Sequence, residues 1–209
     1  MRPALLVVLL LVTSGCGSSH RTITVSATGR IGPLQMDQST RADVIAFAGR
    51  PDAERHSYKG RWFPPFRALG YDCTHRPELD TFPLIETPNG RAGPDCRTVF
   101  WISARTGKLG DFFTSSTRYS EVHGVRIGMG SAVTERLLHR RLTSGCEENI
   151  YLGSREAPLT VAFTGGVTHM VTTHSGGQIV KATGHVTGAR VFALVLHGRH
   201  SEVGIFDCL

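Results

Sequence analysis

The chain has 209 residues, 40% of them hydrophobic and 19% charged, with 24 Gly, 10 Pro, 5 Cys and a formal charge of +6. That suits one substantial domain or two small ones and is too apolar for a disordered chain. No apolar run approaches the ~18–20 residues of a membrane-spanning helix, which excludes a polytopic membrane protein. The basic residues are scattered, without a stripe or interleaved stacking aromatics, so no nucleic-acid partner is expected.

The first segment is an address rather than a structural element. Arg2 is a short positive region, Ala4 to Val12 is an unbroken apolar run, and Thr13-Ser14-Gly15 are small residues ahead of Cys16. This is the layout of a secretory signal peptide over residues 1–15. Thr13-Ser14-Gly15-Cys16 resembles the bacterial lipobox, with Thr13 where that pattern prefers an aliphatic residue. The resemblance implies a diacylated Cys16, a membrane partner through that lipid, and an extracytoplasmic location at the cell membrane. Removing residues 1–15 takes away Arg2, leaving 22 basic against 17 acidic residues, or +5. The other four cysteines, Cys73, Cys96, Cys146 and Cys208, suit two disulfides in an oxidising compartment. Three pairings are possible. Proximity favours Cys73–Cys96 and Cys146–Cys208, with loops that contribute about 3 and about 4 kcal/mol on the chain-entropy account. No Cys-x-x-Cys pair signals zinc.

Residues 16–21 form a polar tether. From Thr22 to Ala27, alternating Ile23, Val25 and Ala27 predict a first, edge strand. Ser39 to Ala48 predicts a helix capped by Thr40, with Asp43 near the positive end of its dipole and Gly49-Arg50-Pro51 as its stop. Trp62 to Cys96 holds Pro64, Pro65, Pro77, Pro83, Pro88 and Pro94, and is expected to be a long irregular loop, Pro-rich over 64–94 and stapled by Cys73–Cys96. Thr98 to Ser103 and Leu109 to Ser115 flank Ala104-Arg105-Thr106-Gly107-Lys108 as a hairpin, with Gly107 supplying positive φ. A second helix is expected from the cap Ser131, with Val133, Leu137, Leu138 and Leu142 as its apolar positions, Arg136, His139, Arg140 and Arg141 exposed, and Gly145 as terminator. The rest reads as strands over Leu159 to Phe163, Val167 to Thr173, Gln178 to Thr183, Arg190 to His197 and Glu202 to Cys208, turning at glycines.

Leu34-Gln35-Met36 leads the first helix and Ile127-Gly128-Met129 the second, and eight residues after each Met stand Val44 and Leu137. This predicts two repeats of roughly ninety residues, 22–116 and 117–209. Ile127-Gly128-Met129-Gly130-Ser131 and Ala48-Gly49-Arg50-Pro51-Asp52 resemble, over about 60 residues, the helix lead-in and exit motifs of small bacterial envelope lipoproteins with the fold of beta-lactamase inhibitory protein, relatives of the outer-membrane assembly lipoproteins. The Pro-rich insertion and the missing Gly-x-Pro exit of the second helix depart from that pattern. The resemblance implies an α+β fold of antiparallel sheets, one or two helices packed on each, and a non-catalytic scaffold that binds an envelope protein or cell-wall polymer. A secreted inhibitor would follow from fold analogy alone.

Catalytic chemistry has little local support. His197 and His200 flank Gly198 at a turn, His169 and His174 lie at opposite-face spacing on a strand, and Glu147-Glu148 are adjacent and diverge. Ser175 lacks the Gly-x-Ser-x-Gly elbow, and Gly128-x-Gly130 reads as a tight turn into a helix rather than an anion site. No metal, cofactor or catalytic residue is therefore expected, and an extracytoplasmic hydrolase whose residues converge only in three dimensions is the alternative. Trp62, Phe63 and Phe66, rigid aromatics amid prolines, are the candidate partner contact.

Overall fold

A computed structural model describes residues 22–57, 66–74, 95–144, 148–152, 159–165, 167–175 and 178–198. The first half runs β1 (Ile23–Ser26), β2 (Arg30–Ile31), β3 (Leu34–Gln35), α1 (Arg41–Ala48), β4 (Ala53–Ser57), β5 (Phe66–Thr74), β6 (Asp95–Ser103) and β7 (Leu109–Thr114). It continues through β8 (Tyr119–Glu121), α2 (Ser131–Leu138), β9 (Thr143–Ser144), β10 (Glu148–Leu152) and β11 (Leu159–Thr164). The final described strands are β12 (Val167–Ser175), β13 (Gln178–Thr187) and β14 (Arg190–His197). The fold is α+β. An eight-stranded antiparallel sheet has the order β4-β5-β6-β7-β14-β11-β10-β9, a small sheet has the order β3-β2-β1-β8, and β12-β13 form a separate ribbon.

Alternation along the central strands creates two buried layers. In β6, Phe100 and Ile102 face α1, α2 and the small sheet, joining Val44, Leu138, Val25 and Ile31 in the main core. Val99 and Trp101 point the other way, with Ala68, Phe113, Ala162, Ala193 and Val195, in a second cluster. Four rings connect the two sheets within the main core: Tyr71 meets Phe100 edge-on at 5.7 Å, Phe100 meets Phe112 at 5.0 Å, and Phe112 meets Tyr119 at 5.4 Å. Each such pair is worth about 0.5–1.5 kcal/mol beyond burial. Beside the rings, the hydroxyls of Thr98 and Thr114 share a buried hydrogen bond of 2.9 Å.

Local chemistry sets the helix boundaries. Thr40 caps α1, and a full capping box forms: the Asp43 carboxylate accepts from the Thr40 N–H at 2.7 Å and from its hydroxyl at 2.8 Å. Those two bonds hold the Asp43 carboxyl below its ordinary range. Gly49, at φ 87°, ends the helix where a side chain would be strained. From α1, Arg41 forms a two-pronged ion pair with Glu54 of β4 at 2.7 and 3.0 Å, and Arg67 of β5 approaches the same carboxylate at 3.3 Å. The Arg41 hydrogen bond pulls the Glu54 carboxyl down from its ordinary value.

Several expectations are corrected. Strand β1 is not an edge: it lies between β2 and β8, and its pairing with β8, Ile23 opposite Tyr119, is parallel. The Pro-rich stretch contains β5, paired on both sides by β4 and β6. Its prolines stop at Pro65 and resume at Pro77, so Phe66–Thr74 keeps every N–H that two ladders require. Ser131 does not cap α2; Gly130 occupies that position without a side-chain bond, and Ser131 is buried in the first turn. Nor does Leu137 face the core. The buried positions of α2 are Ser131, Thr134 and Leu138, while Val133 and Leu137 are 40% and 37% exposed. The helix stops at His139, whose αL conformation breaks it six residues before Gly145, itself outside the described residues. The hairpin between β6 and β7 forms as expected, with Gly107 at φ 67°.

The lead-in to each helix is pinned to the strand that ends its part of the large sheet. The Asp37 N–H donates to Leu109 O and the Leu109 N–H to Ser39 O, both at 2.8 Å. Likewise, the Gly128 N–H donates to Val191 O at 2.7 Å and the Val191 N–H to Met129 O at 2.9 Å. Asp37 and Gly128 both take positive φ, 60° and 87°. After α1 come β4, β5, β6 and β7 as a meander. After α2 come β9, β10, β11 and β14, with the β12–β13 ribbon inserted before the last.

Burial pushes the phenols of Tyr71 and Tyr119 up to about 12. Their folded values lie above the unfolded value near 10, so their contribution is whole below pH 10 and fades as pH rises toward 12. We expect ultraviolet titration to show a late-ionising phenol population that shrinks in Tyr71→Phe and again in Tyr119→Phe. A wild-type curve ionising entirely near pH 10, while circular dichroism stays native, would contradict this.

Candidate functional site

A largely buried pair of polar side chains lies where the two halves of the large sheet join. Asp111 of β7 and His197 of β14 are register partners, 86 positions apart in the chain. His197 Nδ1 lies 2.9 Å from Asp111 Oδ1, with the side chains 14% and 4% exposed. A carboxylate can only accept, so Nδ1 carries the proton. One row across the sheet places Ala68, Trp101, Asp111 and His197 side by side on β5, β6, β7 and β14. The imidazole therefore sits at the border of the second apolar cluster, which includes Trp101.

The loop ahead of α1 closes the same corner. The Gly198 N–H donates to Gly110 O at 2.6 Å, and a Cβ on Gly198 would lie 2.6 Å from Asp37 Oδ1 and 2.8 Å from Gly110 O. Glycine is thus required for close approach of the chains. Gly110 itself falls where the β6–β7 register slips between Trp101 and Ile102, which aligns Asp111 with Trp101. An imidazole oriented by a buried carboxylate is an arrangement that general acid–base catalysis uses.

A second His–carboxylate pair is local. Glu121, 1% exposed, accepts from the His123 backbone N–H at 2.6 Å and lies 2.7 Å from His123 Nδ1. It closes the turn at Val122-His123, whose other end is the Glu121 N–H to Val125 O bond. Its role is to satisfy that turn.

Among the residues singled out from the sequence, Cys73 and Cys96 are directly opposite on β5 and β6 and form a disulfide. Phe66 opens β5, where it is half-buried against the second cluster. Cys16, Trp62, Phe63, Cys146, Glu147, His200 and Cys208 lie outside the described residues. His197 is brought to Asp111. His169, in β12, takes the register position opposite His185 of β13, and Ser175 ends β12. Among the described residues no group of three or more His, Cys, Asp or Glu side chains is placed to hold a metal ion, and no helix is long and apolar enough to cross a membrane.

Asp111 escaped the sequence reading because nothing local marks its partner. The available signal was a charge inside an apolar strand, Leu109-Gly110-Asp111-Phe112-Phe113. We expect long-range ¹H–¹⁵N correlation spectra to show His197 protonated at Nδ1 in native protein. In Asp111→Asn that preference should weaken. A neutral His197 protonated only at Nε2 would refute the described pair.

No known protein family, curated protein or solved structure matches this chain.

Proposed function

We propose that the chain is an exported, lipid-anchored, non-catalytic binding protein of the bacterial cell envelope, built from two copies of a helix-and-four-strand unit. The observation that carries the export reading is the Cys73–Cys96 bridge, because paired structural thiols belong to oxidising compartments. Two features support the repeat: the strand order on either side of β7–β14, and the matched backbone bonds at Asp37–Leu109–Ser39 and Gly128–Val191–Met129. The matched donors Asp37 and Gly128 and the matched acceptors Ser39 and Met129 differ by one residue in spacing, and neither spacing pairs Met36 with Met129. Lipidation rests on the sequence from Thr13 to Cys16, and two acyl chains suffice for stable attachment where one is marginal. A sheet of eight strands offers a broad platform, and an envelope protein or wall polymer is the proposed partner class.

The decisive experiment is fractionation of producing cells. Wild-type protein should sediment with membranes and incorporate palmitate, whereas Cys16→Ser should be released and unlabelled. Non-reducing peptide mapping should recover Cys73–Cys96. Cytosolic protein with reduced thiols and an intact initiator Met would overturn the proposal.

A second reading, an extracytoplasmic hydrolase, is favoured by the Asp111–His197 pair. Under it, any hydrolytic activity found by ester and amide substrate screening would fall at least about 100-fold in His197→Ala. Activity unchanged in that variant would remove the pair from consideration.

A further inference from the structure

The outward face of α2 combines two features that a surface helix ordinarily keeps apart. Val133 and Leu137 are one turn apart and 40% and 37% exposed. Beside and below them stand Arg136, His139, Arg140 and Arg141, all exposed. The turn at His139, φ 50°, folds the chain back so that Arg136, His139, Arg140 and Arg141 rim one shallow depression with Ala132 and Glu135.

Among the described residues the charge there is only partly balanced. Glu135 is the depression's one acid, and its Oε1 is engaged by the Leu142 N–H at 2.7 Å. Three arginines against that carboxylate leave a local charge of 3 − 1 = +2. Among the described residues none of the three arginines forms an ion pair. Arg136 donates from Nε to Ala132 O at 3.3 Å, which lays its guanidinium along the helix.

We propose that this face of α2 docks on an anionic phospholipid bilayer. Phosphate headgroups complement Arg136, Arg140 and Arg141, and Val133 and Leu137 enter the boundary between headgroups and acyl chains. The choice of a bilayer over another anionic surface rests on the envelope-anchor reading above. The surface itself does not. Docking would fix the orientation of the sheet on the membrane, which acyl chains alone do not set.

The test uses the chain from residue 16 with Cys16→Ser, which contains every described contact and lacks both acyl chains and the apolar leader. It is floated with vesicles of phosphatidylcholine alone or with 30% phosphatidylglycerol. Binding is expected only to the anionic vesicles and should weaken with added salt. Arg140→Glu/Arg141→Glu should reduce partitioning roughly 30-fold or more, at about fivefold per basic residue. Val133→Ser/Leu137→Ser should reduce it several-fold, and unchanged melting temperatures should show that both variants are folded.

Equal flotation of the folded charge variant would overturn the proposal, as would no flotation with anionic vesicles. Retention on soluble poly(glycerol phosphate) without vesicle binding would assign the face to a wall polymer and also overturn it. Acylation at Cys16 is read separately in cells, so loss of the anchor and loss of this docking face give different results.

Discussion

The large sheet depends on one ladder. β7 and β14 pair through Leu194–Thr114, Val195–Phe113, Leu196–Phe112 and His197–Asp111, and among the described residues this ladder alone links the large-sheet strands after α1 with those after α2. Both buried layers cross it. On one face Leu196 and Phe112 belong to the main core, and on the other Val195 and Phe113 belong to the second cluster. The ladder is central, paired on both sides and buried on both faces. Its polar groups must therefore be satisfied internally. The Asp111–His197 bond and the Gly198–Gly110 bond do this at its end.

Each helix is small, eight residues, and marginal alone. Stability comes from what holds it against the sheet. For α1 the capping box sets the first turn, and Arg41 ties it to Glu54 on the edge strand. An exposed ion pair of this kind contributes at most about 1 kcal/mol, so it orients the helix more than it stabilises it. For α2 no side-chain cap exists, and the backbone bond from Ser131 to Ala189 O anchors its first residue instead. The two helices are thus held by different chemistry.

Features set by neighbours in the chain were legible beforehand. Thr40, Asp43 and Gly49 announce α1 because capping and termination act over three or four residues. Gly107 announces the hairpin for the same reason. The pairing of Cys73 with Cys96 was recoverable from proximity. Features set by distant partners were not. Phe66–Thr74 is a nine-residue strand hidden among prolines, identifiable only once β4 and β6 supply ladders for it. On α2 helical spacing alone could not decide which stripe was core: Thr134, a poor apolar candidate, is fully buried with its hydroxyl bonded to Gly130 O, and the aliphatic pair faces out. The Asp111–His197 pair required the strand register between segments 86 residues apart.

The parallel alignment of β1 with β8 has a mechanical meaning. β1 is the first described strand, and its bonds from the Ile23 N–H to Arg118 O and from the Val122 N–H to Val25 O lie at either end of the short pairing. Traction on the amino terminus along the strand axis would load these bonds together, in shear, instead of peeling them one by one. Three residues of contact then act as a clasp. The load passes into Tyr119, buried at the end of the aromatic series, so force enters through the main core and not through a fraying edge.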